Sequence, residues 1–193
     1  MKSRGIATAL AILLAAAGVL LLLTGCGRSD GSSVKPAQIL SGSTQPSSER
    51  TAAIGDPIHV RVPSVQIDAA VKPIVGSGDE IDPPTEKDAW WWTERGAPGS
   101  EDTVYLAGHA IHNGDGVFSP LHRVQPGAQI RLDTTAGTRV YRVDATATYD
   151  KHNLDHYDEV WRAVPGRLIL VTCFVVDGRA TQDNYLVYAS LLS

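Results

Sequence analysis

Cysteine is nearly missing from this chain, with only Cys26 and Cys173 among its 193 residues. Two thiols so far apart cannot make the disulfide framework of a small secreted scaffold. A single Cys26–Cys173 bridge is the plain alternative to two separate roles, but it would join the end of an apolar run to the middle of an apolar strand pattern. Net charge is also scarce, at −4, which leaves no reason to expect a nucleic-acid partner. There are no heptads and no internal repeats, and 43% of the residues are apolar, so the composition fits one ordinary packed domain with appendages.

The first appendage is residues 1–28. Lys2 and Arg4 precede an uninterrupted apolar run from Ile6 to Leu23, which ends in Gly25-Cys26-Gly27-Arg28. That run is near the lower limit for crossing a bilayer as a helix. Positive charge before it leaves the amino terminus in the cytoplasm and the rest outside. Two readings stand for this segment, a permanent signal anchor and a lipoprotein signal. The second rests on Leu23-Thr24-Gly25-Cys26, in which small residues precede a cysteine that would take the lipid. Either places the domain on the extracytoplasmic face of the cell membrane. Residues 29–55 turn to Ser, Thr, Gly, Pro and Gln without apolar periodicity, the composition of a flexible stalk.

Residues 56–193 read as the folded domain. Short β-branched runs are broken by Gly, Pro and Asp: Ile58 to Val62, Ala69 to Val75, Thr103 to Ala107, Gln129 to Asp133, Arg139 to Tyr149, Leu168 to Val171 and Asn184 to Ser190. This spacing predicts an all-β barrel or sandwich. Short helical turns fit only near Ser119 to Val124 and Asp155 to Ala163. Two runs, Val104-Tyr-Leu-Ala-Gly-His109 and Leu168-Ile-Leu-Val-Thr-Cys173, are apolar throughout and each ends on a reactive side chain. They predict buried central strands that deliver His109 and Cys173 to one rim.

A thiolate attacks a carbonyl where a thiol does not, and an imidazole can take its proton and later give one to a leaving amine. Cys173 and His109 supply those two groups; the bland alternative is a core thiol and a hydrogen-bonded strand-end histidine. A metal site is the competing chemistry, drawing on His109, His112 and Asp115, with His122, His152 and His156 further on. Against it, Gly114 and Gly116 mark a turn-rich loop and no second cysteine lies near Cys173, so no metal is expected. Trp90-Trp91-Trp92 offers either a peptide platform or core packing, with alternate rings pointing in and out of an extended segment.

Five pieces in order then resemble the sortase family: Leu106-Ala-Gly-His109, Gly116-Val-Phe-Ser-Pro-Leu121, Gly127-Ala-Gln-Ile-Arg-Leu132, Tyr141-Arg-Val143 and Leu170-Val-Thr-Cys173. The similarity covers Ile58 to Ala189. Trp90 to Gly99 and Asp183 to Ala189 resemble the actinobacterial class E and F branches in particular. The resemblance implies an eight-stranded β-barrel and a cysteine transpeptidase with a Cys-His-Arg site and no cofactor. In such enzymes the thiol cleaves a sorting motif of a secreted protein through a thioester, and an amine of a cell-wall peptide or a pilin resolves it. The alternatives are a cysteine peptidase that hydrolyses the thioester, and a degenerate, low-activity sortase that serves as a surface binding module. The chain departs from the family at the arginine on or just before the final strand, which there binds substrate and developing oxyanion. Asn184 stands at that position in one register and Gln182 in the class F register Arg-Asp-Asn. Arg179, in a short loop, is the only arginine after Cys173 and is the expected cationic donor. Asn184, Gln182 and Thr172 are the expected substrate-binding neighbours.

Overall fold

The computed structural model describes residues 54–76, 81–112 and 114–192. The proposed anchor, Cys26 and nearly all of the stalk lie outside the described residues. Eight strands are formed: β1 (Pro57–Val62), β2 (Ile67–Ile74), β3 (Ala89–Trp92), β4 (Val104–Ala107), β5 (Gln129–Thr134), β6 (Gly137–Asp150), β7 (Arg167–Val176) and β8 (Arg179–Leu191). They close into a barrel in the order β1-β2-β3-β4-β7-β8-β6-β5. Closure leaves no sheet edge with unpaired backbone groups. Two junctions are parallel, β2 with β3 and β4 with β7.

Alternation along the strands sorts the side chains into two apolar layers. Val60, Val62, Leu106, Ile130, Leu132, Tyr141, Leu168, Leu170 and Val187 fill the barrel interior. Burial there pushes the Tyr141 phenol up to about 12. The opposite parity of β4, β7 and β8 presents Tyr105, Ile169 and Leu186 outward, where Val160 covers them. Val160 belongs to α1 (Asp158–Trp161), a single turn in the long β6–β7 connection. Trp161 from the same turn stacks on Tyr105 at 5.8 Å, and Trp92 meets both rings edge-on. The Tyr105 hydroxyl donates to the Val160 carbonyl at 2.5 Å, so the connection is fastened to the sheet by a hydrogen bond as well as by apolar contact.

Helical turns form close to the two expected places, as 3₁₀ turns at Ser119–Arg123 and Lys151–His156 followed by α1, but a further 3₁₀ turn at Pro63–Val65, between β1 and β2, was not expected; Pro63 presets its first φ. Two local expectations need correction. The run at Trp90-Trp91-Trp92 is itself a strand, β3, in which Trp91 is buried and donates from Nε1 to the Gly96 carbonyl. The strand carrying Cys173 also does not stop at Cys173. It continues to Val176 and turns into β8 through Asp177-Gly178, both left-handed at φ 49° and 71°. An Asp-Gly pair at those angles is the two-residue turn that matches strand twist. The segment from Val175 to Ala180, whose ends pair with each other, is thus a hairpin rather than a loop.

Candidate active site

β4 and β7 run parallel with Val104 opposite Leu168, Tyr105 opposite Ile169, Leu106 opposite Leu170 and Ala107 opposite Val171. The pairing continues beyond the end of β4. Gly108 N donates to the Val171 carbonyl at 3.2 Å, and the buried Thr172 hydroxyl donates back to the Gly108 carbonyl at 2.7 Å. Carried on by one residue, this register brings His109 level with Cys173 on neighbouring strands, which lie about 4.8 Å apart in a sheet. Continued strand alternation would turn both to the side that presents Tyr105 and Ile169. Cys173 is half-buried, carries no disulfide and lines an open cavity, so it is not sealed in the core.

The imidazole is held from a direction the sequence did not advertise. His109 Nε2 lies 2.7 Å from the carbonyl oxygen of Pro83, in the β2–β3 connection. A carbonyl only accepts, so Nε2 carries the hydrogen and Nδ1 is the ring nitrogen left to exchange protons. The same connection grips the loop beyond the histidine: Val117 N donates to the Glu86 carbonyl at 2.7 Å, and Lys87 Nζ donates to the Asp115 carbonyl at 2.7 Å. The His109 carbonyl accepts from Phe118 N at 2.9 Å. Orientation of a catalytic imidazole by a hydrogen bond at its far nitrogen is a familiar requirement. The Pro83 carbonyl holds the His109 ring in that manner, and main-chain oxygens leave no mark in a residue pattern.

On β8 the register is equally informative. Cys173 stands directly opposite Asn184, and Thr172 opposite Tyr185. Beyond that pair the register breaks, because Val175 pairs with Ala180. Gln182 and Asp183 fall in the resulting bulge, which Thr181 pins by donating to the Phe174 carbonyl at 2.9 Å and accepting from Asp183 N at 3.1 Å. Bulges of this kind bend a strand and re-aim its side chains. Arg179 pairs with Val176 at the hairpin tip and is exposed.

A cavity of about 220 Å³ opens on the other side of the thiol, at the mouth of the barrel. Thr172, Cys173, Phe174 and Tyr185 form one wall, Phe118 and Ser119 another. Phe174 and Tyr185 are stacked there at 5.7 Å. The tip of the hairpin reaches the same place, since a Cβ on Gly178 would sit 3.5 Å from the His112 carbonyl oxygen. His112 and His122 are exposed around the opening, with His122 Nδ1 2.8 Å from the Ser119 carbonyl. Among the described residues no three His, Cys, Asp or Glu side chains come together as a metal site. Of the three tryptophans, Trp92 is committed to the aromatic layer and Trp91 to the interior, while the Trp90 ring lies beneath Lys72 Nζ at 5.7 Å.

The family model for the sortase domain matches residues 60–192. No curated protein matches the sequence. Among solved structures the chain is similar to sortase A of Listeria monocytogenes, at 22% identity over 74% of this chain and 88% of that one, with a TM-score of 0.57. It is also similar to the sortase D5 transpeptidase of Clostridium perfringens, at 19% identity over 73% and 82% with a TM-score of 0.55. Sortase C-1 of Actinomyces oris gives 18% identity over 72% and 76%, with a TM-score of 0.56. At such identities the structural likeness establishes the eight-stranded barrel, and the family model establishes kinship.

Proposed function

The chain belongs to the sortase family of cysteine transpeptidases, and we propose that Cys173 is its nucleophile and His109 its general acid and base. The observation that supports this reading is the parallel β4–β7 register, which sets side by side the two strands whose continuations carry His109, held at Nε2 by Pro83, and the half-buried Cys173. Cys173 gives its S–H proton to His109, and the resulting thiolate forms a C–S bond to a peptide carbonyl carbon while the carbonyl pair moves onto oxygen. Collapse of that intermediate breaks the C–N bond, and the departing amine takes a proton from His109. An incoming amine then attacks the thioester, passes its proton to His109 and releases the thiolate. The energy of the first amide is retained in the thioester, so no nucleotide is consumed. The oxyanion donor comes from β8 or its hairpin, with Arg179, Gln182 and Asn184 as candidates and Thr172 fixing the floor beneath them.

The substrate in this reading is a secreted protein bearing a sorting motif, and the acceptor an amine of a cell-wall peptide or pilin. The domain works on the extracytoplasmic face of the cell membrane, tethered through residues 1–28 by an apolar helix or by a lipid on Cys26, with residues 29–55 as stalk. The features shared with class E and F sortases favour an actinobacterial branch. Mass spectrometry of the mature amino terminus separates helix from lipid.

The test of function is a peptide-library cleavage screen on the detergent-solubilised full chain, with products analysed with and without added amine. Cleavage that needs Cys173 and yields the amine adduct supports transpeptidation, whereas free acid regardless of amine identifies a hydrolase. His109→Ala should depress acyl-enzyme formation far more than His112→Ala. Equal losses would take His109 out of the mechanism. A Cys173 no more reactive toward a vinyl sulfone than in the unfolded chain would leave a binding module.

A further inference from the structure

The β7–β8 pairing decides among the three donor candidates. Residues directly opposite in an antiparallel pair project from the same face with Cβ atoms about 4.5–5.5 Å apart. Asn184 therefore stands beside Cys173 on the outward face, in the last regular pair before the bulge. Arg179 pairs with Val176 on the far side of the bulge, so the regular register that sets Asn184 opposite the thiol does not extend to it. Gln182 is exposed in the bulge, out of register with the thiol.

The surroundings of Asn184 leave its amide available. On its far side it faces Tyr149 of β6, whose hydroxyl is already engaged, donating to Glu159 Oε1 at 3.2 Å and accepting from Tyr188 at 2.9 Å. The neighbouring Thr181 hydroxyl is occupied in holding the bulge, between the Phe174 carbonyl and the Asp183 N–H. Among the described residues the Asn184 side chain makes no hydrogen bond, although the residue is half-buried. Across the sheet the row thus reads His109, Cys173, Asn184: proton carrier, nucleophile and an uncommitted N–H donor.

We propose that the Asn184 carboxamide is the oxyanion donor of this site. The inference rests on Cys173 being the nucleophile. When the sulfur bonds to the carbonyl carbon and the π pair moves to oxygen, Asn184 Nδ2–H donates a hydrogen bond to that oxygen and keeps its proton. When the pair returns and the amine leaves, His109 supplies the proton and the hydrogen bond to oxygen weakens. The donor is neutral, and the cation at the hairpin tip takes no part in the step.

Two reactions of one thiol separate this role from thiol reactivity in general. Acylation by p-nitrophenyl acetate passes through a tetrahedral oxyanion, whereas alkylation by iodoacetamide does not. Both are measured on the full chain in detergent, with alkylation read by mass spectrometry on the Cys173 peptide and the release given by Cys173→Ala subtracted from acylation. Asn184→Ala and the uncharged, near-isosteric Asn184→Leu should each slow acylation by about a hundredfold and leave alkylation within about twofold of the starting protein. Arg179→Ala should slow acylation far less than either Asn184 variant does. Acylation undiminished in the Asn184 variants, or lowered as much by Arg179→Ala, overturns the assignment. So does an unsubstituted protein whose ratio of acylation to alkylation equals that of free cysteine. If instead Cys173→Ala releases nitrophenolate at the original rate, the failure lies in the nucleophile itself.

Discussion

Replacing Gly116 with alanine adds one methyl group where backbone already stands. A Cβ there would lie 2.4 Å from the His109 carbonyl oxygen, 2.8 Å from its carbon and 3.1 Å from Ile111 N. None of these atoms can rotate away as a side chain could. Carbon–oxygen contacts relax to about 3.3 Å, so the two segments must part by about 1 Å. The same carbonyl is tied to Phe118 N, so the movement is shared between the histidine and the loop that follows it. A displacement of about 1 Å in a reacting group costs about a hundredfold in rate, and crowding of this kind costs about 1–3 kcal/mol of stability. For a domain of this size that lowers Tm by about 2–12 °C. Gly127→Ala is the control: its φ of +91° is strained for alanine, by about 1–2 kcal/mol, but nothing stands within 4 Å of the new methyl group. Calorimetry should show both variants less stable. Cys173-dependent acylation and alkylation should fall together in Gly116→Ala, because the imidazole moves, and persist in Gly127→Ala. A Gly116→Ala protein with unchanged Tm and full reactivity would refute the packing of this loop against His109, and equal rate losses in both variants would show that stability alone governs activity.

Thr172→Val keeps shape but deprives the Gly108 carbonyl of its buried donor, and should cost about 1–3 kcal/mol, read as a lower urea midpoint with unchanged slope. Tyr105→Phe removes the hydroxyl that holds Val160 and should cost a similar amount in the same titration; a loss below about 0.5 kcal/mol would mean the β6–β7 connection is held by apolar contact alone. Burial opposes ionisation of Asp102, but the Arg95 guanidinium and the Thr103 N–H together outweigh it and hold the carboxyl below its ordinary range. Its contribution is therefore complete above about pH 4 and lost as pH falls through the depressed folded value, so Asp102→Asn should lower Tm at pH 7 and flatten the acid limb of the Tm profile. An acid limb as steep as before would assign the dependence to other carboxylates.

Seven of the eight strands were legible because β-branched runs bounded by Gly, Pro and Asp carry their own pattern; β6 is extended by only a residue or two beyond its alternating stretch at either end. β3 was not read as a strand, since three consecutive indoles obscure any polar–apolar alternation and pairing with β2 and β4 decides its state. Cys173 and His109 were legible as residue types at the ends of apolar runs, but their shared face follows only from the β4–β7 register. The role of Pro83 had no sequence signature, because its contribution is a carbonyl oxygen. The proposed donor on β8 was obscured by the bulge, which shifts the count between Cys173 and the last strand; charge alone made Arg179 the expected donor, and only the pairs show Asn184 opposite Cys173.

The bond between Gly108 and Thr172 joins residues 64 positions apart, and the strand that carries the thiol is the penultimate one. On the proposed reading neither half of the chain can bring Cys173 and His109 together by itself, and the sulfur gains its imidazole partner only when the last two strands have paired with the rest. Acyl-transfer reactivity is for that reason a reporter of completed folding, and its loss in rising denaturant should superimpose on the loss of β-sheet circular dichroism.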